Sequence, residues 1–318
     1  MAYKIYHHPV MAEEVLRALS PGKGQIVVDG TIGEGGHAVR IAELMELSGR
    51  LIGIDADSAN AEIAAERLKD FNIRTDIFND SYLNIKKIIK ELGIKKVDAV
   101  LLDLGFSSRQ IKASKRGFSF TGEEPLDMRY NVKNNIPAAE WINNAACSDI
   151  AGVLKKYGQE GESNYIAKKI IEYRRGTPIK TNRQLTDIVT LAKRKQKPGT
   201  HPATKTFQAI RIFINKELEN LEEGIINCLD SIKKGGRLAV LTYHSLEDRK
   251  VKEVFRQYAG CCHCPPDFPV CTCGAMDIRP KISILKESGQ RPSEKEIKTN
   301  PPSRSAHLRL CRIEESSE

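Results

Sequence analysis

An apolar run, Gln25-Ile-Val-Val-Asp29, opens directly into the turn Gly30-Thr-Ile-Gly-Glu-Gly-Gly-His37, and a second run, Arg50-Leu-Ile-Gly-Ile-Asp55, ends on another acid. Short apolar runs bounded by glycine read as buried strands, and a turn this rich in glycine lets backbone pass a ligand where a Cβ would collide. Such a chain is held to an α/β sheet whose first two strand tips frame a nucleotide-type pocket. Asp55 stands where a carboxylate can accept two ribose hydroxyls. A turn serving only strand-to-helix geometry is the plain alternative, and Asp55 at its side argues against it.

Two cofactors fit this arrangement. Gly33-Glu-Gly35-Gly-His-Ala38 meets the loose dinucleotide pattern, with Asp55 about twenty residues on, so NAD is one reading. S-adenosylmethionine has no pyrophosphate. Its amino-acid end would lie against the turn, and Asp29 would help to hold the ammonium.

Further strands are expected at Thr75 to Asn79 and Val97 to Leu104, with amphipathic helices at Ala38 to Leu47, Ala59 to Asp70 and Tyr82 to Leu92. The alternation predicts a mostly parallel sheet with right-handed crossovers. From Phe106 to about Pro202 the pattern turns helical and polar, punctuated by Pro137, Pro178 and Pro198. A long helix is then expected over Phe207 to Lys233, stopped by Gly235-Gly236, before a fifth strand from Arg237 to His244. Ser245 is the expected cap of the next helix, with Asp248 three residues on. Lys281 to Leu285 and His307 to Ile313 supply closing strands, and Ser288 to Ser305 reads as an exposed loop. The economical layout is one doubly wound, mostly parallel sheet with an inserted helical domain: segments 1–109, 110–206 and 207–318, with a cysteine-rich loop at 259–275.

With 318 residues and 40% hydrophobic content the chain can bury a substantial core. No run approaches the roughly 18 apolar residues of a membrane span, and Met1 to Leu16 lacks the order of a secretory signal. A cytoplasmic protein with no membrane partner is expected. The net charge of +9 is concentrated: Tyr165 to Lys216 holds 13 Lys and Arg against two acids, Glu172 and Asp187. That density suits binding to a phosphate backbone, because each neutralised phosphate releases counterions; a solvated basic face is the bland alternative. Lys193, Arg194, Lys195, Lys197 and Lys205 are the candidate phosphate contacts.

Five of the eight cysteines crowd between Cys261 and Cys273. Cys261, Cys264, Cys271 and Cys273 offer four thiolates to a structural zinc, and reduced thiols in a loop are the alternative.

Longer motifs recur in order: His8-Pro-Val, Asp29 to His37, Leu102-Asp-Leu-Gly-Phe-Ser-Ser108, Arg116-Gly-Phe-Ser-Phe120, Pro125-Leu-Asp-Met-Arg129, His201-Pro-Ala-Thr, Thr206-Phe-Gln-Ala-Ile-Arg211 and His244-Ser-Leu-Glu-Asp-Arg249. The ordered set resembles the RsmH family, also called MraW, from about His7 to Arg312. The resemblance implies a class I methyltransferase fold with an inserted all-helical domain. It also implies S-adenosylmethionine-dependent N4-methylation of a cytidine in the decoding region of 16S ribosomal RNA, with the small ribosomal subunit as partner. Positions matching the family's cofactor contacts are Gly35, Gly36, His37, Asp55, Tyr82, Asp103 and Gln110. Tyr82 departs from the phenylalanine of the family pattern, and either ring can pack on an adenine.

Transfer to an exocyclic amine requires that the amine be oriented for in-line attack and that its proton be accepted. Asp103, after Ala-Val-Leu-Leu at a strand's carboxyl end, is the first candidate acceptor, and a cofactor-holding role competes with it. Phe106 is a candidate to stack on an extruded base, or simply core. Ser107 sits beside it. Arg129 and Arg211 lie in family motifs and are candidates for contacts near the base. His244, ending the fifth strand, either faces the active site or satisfies backbone. A homodimer is an open expectation. Three function classes stand: RNA methyltransferase, NAD-dependent dehydrogenase, and a noncatalytic RNA-binding protein.

Overall fold

The computed structural model describes residues 8–45, 48–104, 115–130, 132, 135–193, 201–261 and 280–314. The expectations placed on Phe106, Ser107, Gln110, Arg194, Lys195, Lys197, Cys264, Cys271 and Cys273 lie outside the described residues. Two compact units form, one from Met1–Gly105 with Leu218–Glu318 and the other from Phe106–Glu217.

The first unit holds, among the described residues, seven strands: β1 (Ile26–Asp29), β2 (Arg50–Asp55), β3 (Arg74–Asn79), β4 (Val97–Asp103), β5 (Ile232–Thr242), β6 (Ile282–Ile284) and β7 (His307–Ile313). Their order is β3-β2-β1-β4-β5-β7-β6. The first five run parallel, while β7 is antiparallel to β5 and β6 antiparallel to β7. This is the class I methyltransferase architecture, doubly wound and mostly parallel as expected.

The two-residue period of the strands explains the layering. Val27, Leu51, Leu101, Ala239 and Leu241 face one layer with Leu16 of helix α1 (Ala12–Leu19), Ile41 and Met45 of α2 (Gly36–Met45), and Ala64 and Leu68 of α3 (Ser58–Leu68). Val28, Ile52, Val100, Leu102 and Val240 face the other, against Ile85 and Ile88 of α4 (Ile85–Glu91), Leu221 and Ile225 of the helix Glu217–Ser231, and Phe255 of the helix Ser245–Tyr258. The interior strands β1, β2, β4 and β5 are therefore apolar on both faces, whereas the edge strand β3 is only partly buried.

The second unit packs the helices Ala138–Asn144, Cys147–Gly158, Ser163–Gly176, Asn182–Ala192 and Thr204–Asn215. Thr181 and Gln184 form a reciprocal capping box at the start of Asn182–Ala192. Gly158 lets the helix Thr204–Asn215 come close, since a Cβ there would stand 2.6 Å from the Lys205 carbonyl oxygen.

The continuous helix expected over Phe207 to Lys233 is two helices, broken at Lys216, whose φ of 50° is left-handed. Polar side chains hold the break. Asn215 Nδ2 donates to the carbonyls of Met128 (2.8 Å) and Arg211 (2.9 Å), competing with helical continuation. The compact-unit boundary falls at Glu217, so Thr204–Asn215 packs with the helical unit instead of opening the segment expected from 207. Strand β5 starts at Ile232, earlier than expected, and shifts register against β4 between Val97 and Ala99. Within the stretch expected as loop, Glu294–Thr299 is helical, capped by the Ser293 hydroxyl, which accepts from Glu296 N.

Candidate active site at the carboxyl edge of the sheet

Strand order reverses around β1, whose neighbours are β2 and β4, and ligands of open α/β sheets bind at the carboxyl ends beside such a reversal. The last residues of these three adjacent strands are Asp55, Asp29 and Asp103. Three carboxylates at one edge are costly unless something positive or hydrogen-bonding offsets them.

The glycine turn folds over the tip of β2. Ile32 N donates to Ile54 O at 2.9 Å, Gly33 N to Asp55 Oδ2 at 2.9 Å and Gly35 N to Ile32 O at 2.8 Å. Gly33 and Gly35 adopt φ of 53° and 80°, and a Cβ on Gly35 would stand 3.3 Å from Ala64 Cα. Glycine at 35 is thus required twice, by conformation and by the approach of α3. Gly36 is the first residue of α2.

Asp55 is engaged by protein donors as well as free to accept more. Its Oδ1 accepts from Asp57 N at 2.8 Å and from Asn60 Nδ2 at 3.4 Å, and its Oδ2 from Gly33 N. Burial pushes its carboxyl above the ordinary range, and these donors oppose the push. Each carboxylate oxygen carries two lone pairs, so a ribose hydroxyl remains acceptable to either.

Asp29 is 1% exposed, and its Oδ1 accepts from Thr31 N at 3.2 Å. Its Oδ2 is buried with no hydrogen-bond partner among the described residues. Burial, the largest effect, raises its carboxyl to about 7, the His37 ring and the Thr31 amide pull it down, and Asp103 and Asp55 add to the rise. An orphaned buried carboxylate oxygen wants a cation.

Asp103 is held on two sides. Its Oδ1 accepts from the Tyr243 hydroxyl at 2.8 Å, and its Oδ2 lies 3.5 Å from His37 Nε2. Its amide donates to Thr31 Oγ1 at 2.6 Å, tying the β4 tip to the glycine turn. His37 is 5% exposed, and neither ring nitrogen has a hydrogen-bond partner among the described residues. Tyr82 opens a 3-10 turn after β3 and its ring lies against Gly224, where an added Cβ would overlap it.

His244 is a cap. Its Nδ1 accepts from Glu247 N at 3.3 Å while Glu247 Oε2 accepts from His244 N, a capping box at the head of Ser245–Tyr258. The expected cap, Ser245, is instead the first helical residue, because the histidine ring reaches the N3 amide from one residue earlier. His244 Nε2 lies 2.9 Å from Glu247 Oε1 without hydrogen-bond alignment.

In the helical unit, several expected substrate contacts are bound into the fold itself. Arg129 forks onto Asp127 (Nε to Oδ1 2.8 Å, Nη2 to Oδ2 2.7 Å) and donates from Nη1 to the Val132 and Asn135 carbonyls. Burial would raise Asp127, but the Arg129 hydrogen bonds hold it below the usual carboxylate range. Arg211 forks onto Glu217 at 2.8 and 2.9 Å, and Glu217 also accepts from the Tyr130 hydroxyl. Lys193 Nζ is 2.8 Å from Glu160 Oε2, both side chains largely buried. Its charge is therefore spent on Glu160 and not on a solvent-facing phosphate site. Lys205 Nζ donates to Gln159 O at 2.8 Å. Lys168, Arg175 and Lys180, within the basic segment Tyr165 to Lys216 and not among the named phosphate candidates, are exposed.

Lys193→Ala is expected to destabilise the protein by about 3 kcal/mol at neutral pH, because Glu160 would be left buried and unpaired or forced to take a proton. Chemical denaturation checks this; a loss below about 1 kcal/mol would mean the pair is solvent-screened.

Of the four cysteines read as a zinc set, only Cys261 is among the described residues, and the zinc expectation lies otherwise outside them. Two site residues escaped the sequence reading. Tyr243 and Glu247 sit 140 and 144 positions from Asp103, and only the pairing of Asp103 with Leu241 across β4 and β5 brings Tyr243 alongside.

Known proteins place this geometry in a family. The sequence profile of the MraW methylase family matches residues 4–314. A protein of Syntrophotalea carbinolica named ribosomal RNA small subunit methyltransferase H is 41% identical over 312 residues, spanning 96% of this chain and 97% of the relative. Proteins of the same name from Clostridium botulinum, 42% identical over 308 residues, and Heliobacterium modesticaldum, 40% over 311, each span 96% of this chain and 98% of their own length. With a class I methyltransferase sheet, a glycine turn and three acids at its carboxyl edge, this chain belongs to the MraW methylase family.

Proposed function

We propose that the protein uses S-adenosylmethionine to methylate N4 of a cytidine in the decoding region of 16S ribosomal RNA. The observation that carries the cofactor half is Asp29: a buried carboxylate oxygen without a hydrogen-bond partner among the described residues, at the first strand tip and beside a positive-φ glycine turn. It suits the ammonium of an amino-acid ligand. The same acid disfavours NAD, because a pyrophosphate against this turn would bring two negative charges up to an unscreened carboxylate. Asp55 would hold the ribose, the Gly33 to Gly35 turn would lie along the amino-acid end, and Tyr82 is a candidate for the adenine. The bound cofactor supplies an electrophilic methyl group on a sulfonium.

The nucleic-acid half is supported by relatives named for the small-subunit ribosomal RNA and by the exposed basic residues of the helical unit. A noncatalytic RNA-binding protein would not need the acid at the tip of β4. Asp103 Oδ2 would accept an N–H of the cytosine amine, orienting the nitrogen and taking up positive charge as it becomes alkylated. Tyr82, His37 and Gly36 would bound the cofactor, and Gln110 is carried over from the family pattern.

Labelled methyl transfer to small ribosomal subunits, followed by mapping of the modified nucleoside, tests the function. N4-methylcytidine at one decoding-region position is expected; label on another nucleoside, or none, would overturn it. Parallel assays on naked 16S RNA and on assembled subunits decide which is the substrate.

Cofactor affinity is expected to depend on pH through Asp29. Only its carboxylate form attracts an ammonium, and its carboxyl titrates at about 7. Affinity therefore rises as pH increases through 7 and falls toward roughly tenfold per unit below it. Calorimetric titration from pH 6 to 8 on the native protein and Asp29→Asn checks this: the native slope should vanish in the variant. Equal slopes would remove Asp29 from the ammonium site.

A further inference from the structure

Two glycines on different elements close on one aromatic side chain at the carboxyl edge of the sheet. Gly30, which follows Asp29 at the tip of β1, would place an added Cβ 3.2 Å from the Tyr82 Cβ. Gly224, in the helix Glu217–Ser231, would place one against the ring itself, overlapping Cε2 and Cδ2 and standing 3.2 Å from Cζ. We infer that Gly224 is a positioning residue for the cofactor: by omitting a side chain it seats the Tyr82 ring at the depth and tilt that fit adenine. The inference rests on the reading of Tyr82 as the adenine contact.

Three observations carry it. The first is that Gly224 has no backbone reason to be glycine. It lies inside a helix and outside the positive-φ positions, where glycine is a poor helix former and alanine the best. It is also buried, on a face it shares with Leu221, Ile225 and Cys228, where a larger apolar side chain would add to the core. Room for the Tyr82 ring is what the missing side chain provides.

The second is that the same helix holds the turn that bears the ring. Asn227, one turn on from Gly224, donates from Nδ2 to Leu83 O at 2.9 Å, and Asp230, a turn further, pairs with Lys86. The segment from Tyr82 to Lys86 is thereby placed by the helix and not by its own short turn alone. The third is the ring's surroundings. Tyr82 packs against the buried layer that includes Leu221 and Ile225 and is still only half-buried, while Gly30 lets its stem approach the strand tip that ends in Asp29. An alanine at 224 would drive the ring from the helix until 3.4 Å or more separated them, and with the stem held at Gly30 the displacement becomes a tilt. Stacking on a flat base is sensitive to tilt, because it depends on the relative orientation of the two planes at contact distance.

The test is a double-mutant cycle read by calorimetry with two probes: S-adenosylhomocysteine, and 5′-methylthioadenosine, which keeps adenine and ribose without the amino-acid end. Gly224→Ala is expected to weaken both about tenfold, and to raise KM for S-adenosylmethionine equally while kcat at saturation stays within about threefold. In a Tyr82→Ala background, itself about thirtyfold weaker, the added Gly224→Ala should cost less than about twofold, because the ring it displaces is gone. Native affinity in Gly224→Ala, a loss seen with S-adenosylhomocysteine alone, or equal losses in both backgrounds overturns the inference. A glycine that serves packing only would shift the melting temperature and leave both dissociation constants in place. Native-like binding by Tyr82→Ala would mean that the reading of Tyr82 has failed; weak binding by Tyr82→Ala beside a native-like Gly224→Ala would mean that only the glycine's role has. Should Gly224→Ala melt below the assay temperature, Asn227→Ala is the second probe, since it releases the Leu83 carbonyl without filling any space. It is expected to bind both ligands about fivefold more weakly, and native affinity overturns the inference.

Discussion

Asp103→Asn is expected to lower kcat for methyl transfer about 10³-fold while binding S-adenosylmethionine within tenfold of the native protein. The amide has nearly the carboxylate's shape, so its oxygen can still accept from the Tyr243 hydroxyl, and its backbone amide still reaches Thr31 Oγ1. What it loses is charge and an acceptor on the second atom. An NH2 group cannot take an N–H from cytosine, and it offers no negative charge to offset an alkylated amine, effects that together lie within the range for a lost general base. Single-turnover transfer and calorimetric titration separate the two quantities. Affinity lost a hundredfold with transfer intact in the saturated complex would reassign Asp103 to holding the cofactor.

Asp55→Ala is expected to weaken S-adenosylmethionine by about 10³-fold. Two hydroxyl donors to a charged acceptor contribute roughly 2 kcal/mol each, and about 4 kcal/mol corresponds to three decades in Kd. The same change frees Gly33 N and Asp57 N, which now donate to the carboxylate at 2.9 and 2.8 Å, so the turn itself loosens. Asp55→Asn keeps an acceptor for one of these amides and should fall between alanine and native. Calorimetry at one pH measures the series; an alanine variant binding within threefold of native would show that the ribose lies elsewhere.

The sequence carried the sheet well because its signals are local. Asp29 and Asp55 each end an unbroken apolar run, and the glycine turn between them admits few conformations, so their place at adjacent strand tips could be read directly. The break at Lys216 could not, because nothing in Phe207 to Lys233 interrupts the apolar period; the turn is stabilised by Asn215 reaching Met128, 87 residues away. Charge was legible as an amount and not as a disposition. Lys193, Arg129 and Arg211 read as free cations, yet each faces an acid, Glu160, Asp127 or Glu217, that only the folded chain brings near or orients. Tyr243 was hidden for the same reason, since its partner belongs to a neighbouring strand.

The most direct measurement is a crystal structure of the protein with S-adenosylhomocysteine, which keeps the ammonium, carboxylate and adenosine of the methyl donor. The ribose hydroxyls are expected on Asp55, the ammonium on Asp29 Oδ2 and the sulfur directed toward Asp103. Density for the ligand away from the Gly33 to Gly35 turn, or with its ammonium remote from Asp29, would contradict it.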